Sequence, residues 1–270
     1  AARLGTPEIA ARLPSLAAMG LLALLMVLFL RRHGQTPQEP LFGLAALGTA
    51  PVFLVTARTV NPDALPILFH TLFVILAFEW VSGRLEGRVR GMVGLGVLAS
   101  LLAAVLSGGW FWGAAVTPGA LFAALFFSRT APRRVWAFWG IFALAALAVL
   151  PLLHALDAPV WLAGAPPNPA SAVPAGQNPH ALFTIFWVRV FFSAFPVSLI
   201  ALLGFFTAPG APAAESGEPS GRPAPVSLRF FAGWLTVTLL SGAYWEMRVE
   251  TALFLGIFPL CAAAAVFLAR

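Results

Sequence analysis

Apolar residues in this chain fall in long runs, and short arginine-bearing loops set the runs apart. Nine runs stand out, at 13–30, 41–56, 64–81, 92–106, 112–127, 135–153, 182–206, 228–242 and 251–269. A straight helix across a bilayer needs about 20 apolar residues, so several runs are short for the task. The run at 112–127 is the weakest, because Thr117-Pro118-Gly119 interrupts it. Proline in a membrane helix is tolerated where neighbours satisfy the freed carbonyl. The pattern predicts an all-α fold, a polytopic transmembrane bundle of about nine spans in a single domain covering 1–270.

Composition agrees with the pattern. Of the 270 residues, 60% are hydrophobic and 10% are charged. A soluble domain is about one-quarter charged. This balance excludes a soluble enzyme, a disordered tail and a disulfide scaffold. All sixteen basic residues are arginine, and they outweigh ten acids to give +6. The arginines are scattered and form no basic stripe, which speaks against nucleic acid as a partner. The lone Cys261 lies in an apolar run and reads as a packing residue. No glycine-rich phosphate loop and no Cys/His cluster with metal spacing occurs. A divalent metal therefore stays open as a cofactor, with no ligand set assigned. No signal peptide precedes the first run, and the opening residues read as the middle of a loop. The expectation is a longer protein whose N-terminus lies upstream.

Arginine counts give an orientation. If all nine runs cross, one side collects Arg31, Arg32, Arg84, Arg88, Arg90, Arg129, Arg133, Arg134, Arg222, Arg229 and Arg270, eleven in all. The other side collects five: Arg3, Arg12, Arg58, Arg189 and Arg248. The richer side is expected to be cytoplasmic, which puts the N-terminus outside and the C-terminus inside. The stretch 154–181 then becomes a long, proline-rich outer loop, a lid or a plain spacer. The stretch 208–227, rich in Pro, Gly, Ala and Ser, becomes a flexible inner linker.

Polar residues near the outer side are the candidates for chemistry, since ionisable groups close to lipid persist where they are paired or functional. In Ala57-Arg58-Thr59-Val60-Asn61-Pro62-Asp63-Ala64, Asn61-Pro62 favours a turn and Asp63 is placed to cap the next helix. That cap with an arginine partner accounts for the string by itself, and a site role stands beside it. Glu8 and Arg12 are four apart and share a helix face. They form either an interfacial ion pair or, through Arg12, a contact to a lipid phosphate. Trp110, Trp112, Trp136 and Trp139 read mainly as an aromatic belt, with sugar stacking on Trp110 or Trp112 as the alternative. His70 reads as a hydrogen-bonded packing histidine before a proton relay. Glu79, at the inner end of its run near Arg84, reads as interfacial. Tyr244, Trp245, Glu246, Arg248 and Glu250 form a compact outer loop that faces a cavity or only solvates the turn.

The order Gly5-Thr6-Pro7-Glu8, Arg12-Leu13-Pro14, an apolar helix, Arg31-Arg32, a second helix, then Ala57-Arg58 with Asp63 at the next helix start resembles membrane glycosyltransferases of the GT-C class. The resemblance is to the bacterial branch of lipid A aminoarabinose transferase and protein mannosyltransferase-like enzymes. It covers about residues 5–80. Beyond that it rests on helix order, the long outer loop and Phe195-Pro196. It implies a polyprenyl-phosphate-sugar donor, a lipid, glycan or protein acceptor at the extracytoplasmic face, and residence in a bacterial inner membrane among its lipids. It also implies a donor-binding set of Arg12, Arg58 and Asp63, matched by position. The family's catalytic acid sits in a first outer loop, expected upstream of residue 1. No base is assigned here, and the piece is expected to be inactive alone. Two departures stand out: Ser107-Gly108-Gly109-Trp110 replaces a Lys-Gly-Pro-like string, and Val197 follows Pro196 where Trp is common.

Two readings from other classes remain. A non-catalytic scaffold or degenerate relative fits the absent lysine. A secondary transporter would show two related halves and midplane broken helices, and the sequence shows no such symmetry.

Overall fold

The computed structural model describes residues 7–34, 36–59, 63–82, 85–156, 192, 194–207, 226–241 and 249–269. Among them every regular element is a helix: α1 (Pro7–His33), α2 (Glu39–Thr49), α3 (Pro51–Arg58), α4 (Ala64–Val81), α5 (Gly87–Trp110), a π-helical segment (Phe111–Val116), α6 (Thr117–Ser128), α7 (Arg133–Ala155), α8 (Val197–Thr207), α9 (Leu228–Ser241) and α10 (Val249–Leu268). Among the described residues four stretches are long and apolar enough to cross a membrane, namely Ala11–His33, Ala64–Val81, Gly87–Ser128 and Arg133–Leu153, or five if the bent pair α2–α3 counts as one. That is fewer than the nine runs read from sequence, for two reasons. The fourth and fifth runs share one helical stretch. The described helices at Val197–Phe206, Leu228–Ser241 and Leu255–Leu268 are short.

Proline and glycine explain the breaks. The run at 41–56 is bent by 71° between α2 and α3. Pro51 has no N–H to donate and forces its predecessor out of the helical region, so Ala50 sits extended at ψ 116° and α3 starts afresh with proline in its first turn. A straight helix of the 42 residues Gly87–Ser128 would be about 63 Å long, twice a bilayer core. It is not straight. Gly109 adopts φ 76°, ψ 177°, a backbone open mainly to glycine. Beyond it the chain folds back, so that a Cβ on Gly113 would overlap the backbone of Val105 and Ala104. The stretch is a helical hairpin. Its second arm must also accommodate Pro118, which cannot bond to the carbonyl four residues back. The turn before it widens to π geometry, and the Thr117 N–H and hydroxyl both go to the Trp112 carbonyl, the hydroxyl at 2.7 Å.

Apolar side chains line the outside of the bundle as well as its inside. The outward stripe of α5 is Met92, Leu95, Leu98, Leu102 and Leu106, and α1 exposes Leu13, Leu16, Leu21, Leu24 and Leu28. Such stripes suit hydrocarbon, not water. Inside, aromatic side chains such as Phe73, Phe230, Phe231, Trp234 and Phe258 are fully buried. Trp234 stacks on Phe258 of α10 with ring centroids 5.5 Å apart, and the α10 segment from Leu255 to Val266 is closed off on all sides. Its small residues let neighbouring backbones approach closely, which is how helices associate where lipid is as apolar as leucine.

Contacts fix the helix directions. His33 at the end of α1 meets Glu79 at the end of α4, so the two run parallel. Against α4, α5 is antiparallel, since Gly94 faces Trp80 and Gly108 faces Pro66. After the fold at Gly109, α6 runs back to the Glu79 end, and α7 leaves from there with Trp136 against Phe126. The start of α9 lies there too, where the Val226 N–H donates to the His33 carbonyl at 3.2 Å. One end of the bundle therefore gathers Arg31, Arg32, Arg88, Arg90, Arg129, Arg133, Arg134 and Arg229, all exposed. All eight fall on the side given eleven arginines by the sequence count.

Candidate functional site

Arg12, Arg58 and Asp63 lie toward the opposite end. Arg12 precedes His33 on α1 by about 32 Å of helix, and Asp63 precedes Glu79 on α4 by about 24 Å. Arg58 ends α3, and the five-residue step to Asp63 spans at most about 18 Å. The three thus belong to one end of the fold. Arg12 is exposed and Asp63 half-buried, and each has an interaction partner. The expected cap is corrected in one respect. Asp63 holds the cap position of α4, but at φ −79° and ψ −8° its side chain makes no capping hydrogen bond. Its carbonyl accepts the first bond of the helix, from the Ile67 N–H at 3.1 Å. The Arg58 and Glu8 side chains, the loop 157–181, the linker 208–225 and the loop 242–248 lie outside the described residues.

The polar cluster that sequence reasoning missed is at the arginine-rich end. The Glu79 Oε1 accepts from the His33 Nε2 at 2.7 Å and from the Arg32 Nε at 2.7 Å. His33 is buried and Arg32 half-exposed. The His33 ring packs on Phe29 and Phe78, with centroids 4.9 and 5.2 Å away. Since the carboxylate accepts, the His33 Nε2 carries a proton. Its other nitrogen, Nδ1, is buried without a hydrogen-bond partner among the described residues, as are the hydroxyls of Thr36 and Ser227. Buried Glu39 stands beside this group and accepts from the Thr36 N–H at 3.2 Å. Glu79 is therefore not the merely interfacial group expected from its place near Arg84. The pair spans 46 residues, so no periodicity reveals it. The available signal was an acid and a histidine on the same side by the arginine count.

Mid-bundle, His70 is held by three helices. Its Nδ1 is 2.8 Å from the Thr117 Oγ1, and the Trp234 Nε1–H donates to its Nε2 at 2.8 Å. The Thr117 hydroxyl spends its proton on the Trp112 carbonyl, so it accepts from His70. The tautomer is thereby set: hydrogen on Nδ1, lone pair on Nε2, ring neutral. This is the packing histidine of the sequence reading. Trp112 is buried and offers no open face to a sugar, and Trp110 commits its indole N–H to the Ala146 carbonyl of α7 at 2.8 Å. Among the described residues no group of three or more His, Cys, Asp or Glu side chains is placed to hold a metal. Comparison with protein-family models, curated proteins and solved structures finds no match for this chain.

Proposed function

We propose that the chain is the membrane module of a glycosyltransferase that takes its sugar from a polyprenyl-phosphate carrier. In this reading the described helices belong to a nine-pass bundle in a bacterial inner membrane. Each arm of the Gly109 hairpin is one pass, the arginine-rich end is cytoplasmic, and Arg12, Arg58 and Asp63 face the extracytoplasmic rim. The observation that carries the reading is the grouping of those three residues at one end, away from the arginine-rich end. Two arginines near head-group level suit a phosphate, since guanidinium binds it with paired, charge-assisted hydrogen bonds. Asp63 would orient the donor, and no residue of this chain is given the role of base.

The test uses the full-length protein with a polyprenyl-phosphate-sugar donor in vesicles. Asp63→Asn is expected to lower transfer at least tenfold with membrane insertion unchanged. Full activity would remove Asp63 from the site, and cysteine labelling that put Asn61 in the cytosol would remove the threading. A secondary transporter is the second reading, favoured by the broken helix at Ala50–Pro51, since such breaks line transport sites. Proton- or sodium-driven uptake in vesicles without sugar transfer would select it.

A further inference from the structure

We infer that the turn between α6 and α7 is a binding site for an anionic phospholipid of the surrounding leaflet. The inference rests on membrane embedding and is independent of sugar transfer. Three of the seven residues from Ser128 to Arg134 are arginines, namely Arg129, Arg133 and Arg134, and all three are exposed. No ion pair reaches them among the described residues, in contrast to Arg32, which is tied to Glu79. No acid occurs anywhere in 87–156. Among the described residues the turn therefore carries three arginines without an ion-pair partner, and each such charge near an anionic leaflet adds to attraction.

The apolar surface beside the turn supplies the second half of a lipid. Phe126 on the last turn of α6 is 45% exposed, and Phe138 and Ile141 on the first turns of α7 are 57% and 67% exposed. Phe126 and Trp136 rings meet at 5.2 Å and bind the two helix ends together, while Arg134, Phe138 and Ile141, spaced i, i+4 and i+7, share one exposed face of α7. A phosphate on the guanidinium groups leaves its acyl chain lying along Phe138 and Ile141 below Arg134. A phosphate ion lacks that second contact, and a zwitterionic lipid cancels much of the first.

The experiment uses the full chain in neutral detergent micelles, titrated with phosphatidylglycerol, phosphatidylcholine or inorganic phosphate. Bound lipid is counted by native mass spectrometry and Tm is followed in parallel. Phosphatidylglycerol is expected to bind and raise Tm, and the other two are not. The triple variant R129Q/R133Q/R134Q should bind phosphatidylglycerol roughly tenfold or more weakly, by the sum of the lost surface charges. The double variant R88Q/R90Q, at the same end of the bundle, should change binding less than threefold. Arg129 caps α6 in the left-handed conformation, φ 54° and ψ 27°, which glycine adopts more readily. Arg129→Gly should therefore fold at least as stably and still bind more weakly, which separates loss of the site from loss of the fold. Equal binding by the triple variant, an equal loss in R88Q/R90Q, or equal binding of phosphatidylcholine or free phosphate would each overturn the proposal. A wild-type chain that leaves the micelles would overturn the membrane reading beneath it.

Discussion

His70 and His33 are both buried, yet their surroundings assign them different work. His70 has a partner on each nitrogen, both from other helices, and neither of them is a carboxylate. His33 shares a carboxylate with an arginine on one side, and its second nitrogen is buried with no hydrogen-bond partner among the described residues. A polar group whose hydrogen bonds are all met internally acts as a staple: it joins α4, α6 and α9 and costs little to bury. One left with a buried, unmatched nitrogen beside two charged groups holds the ends of α1 and α4 with less to spare. The polar group around His70 is closed, and the one around His33 is open.

Substitutions can break that contrast or sharpen it. The largest effect is expected from Glu79→Leu, which leaves the buried His33 N–H without its acceptor. Discounted for the half-exposed Arg32, the loss is about 2–3 kcal/mol, read as unfolding in mixed micelles. Glu79→Gln keeps an acceptor and should recover at least half of the loss. If it does not, charge and not hydrogen bonding holds the joint. Trp234→Phe removes the donor to His70, and should cost about 1–2 kcal/mol for the orphaned buried acceptor on top of the packing lost with the larger ring. A loss below the error of the measurement would mean that a water serves the histidine and the site is not closed. Arg32→Gln is expected to matter least, at most about 1 kcal/mol, because a partly exposed ion pair is screened. A cost as large as that of Glu79→Leu would show that the arginine, not the histidine, sets the cluster.

Legibility followed the range of the forces involved. The stretch 64–81 is a helix with the bounds read from sequence, since a long apolar run between a turn signal and Ser82 leaves few alternatives. The first run was also legible, although its helix extends to Pro7 because polar residues at a membrane boundary continue a helix without a hydropathy signal. Hydropathy stayed apolar through Ala50-Pro51, so the bend there was invisible to it; the missing N–H of Pro51 was the signal to weigh. The hairpin between 92–106 and 112–127 was readable from Gly108-Gly109. Its π segment was not, because the rerouting of Thr117 to Trp112 depends on three-dimensional fit. Of the candidate residues, helix order was enough to group Arg12, Arg58 and Asp63 at one end. The His33–Glu79 pair depended on which helix ends meet, and that is decided by packing across distant parts of the chain.

The tip of the Gly109 hairpin bears on how the protein reaches its place. Between Arg90 and Arg129 the chain carries no charged residue. Moving such a tip through hydrocarbon drags no ion with it, and ions are the main penalty for translocating a helix. Flanked by arginines that resist crossing, the two arms are suited to entering the bilayer together as one unit during biogenesis, already folded over their glycine. An arginine placed at Ser107 would turn that free passage into a toll.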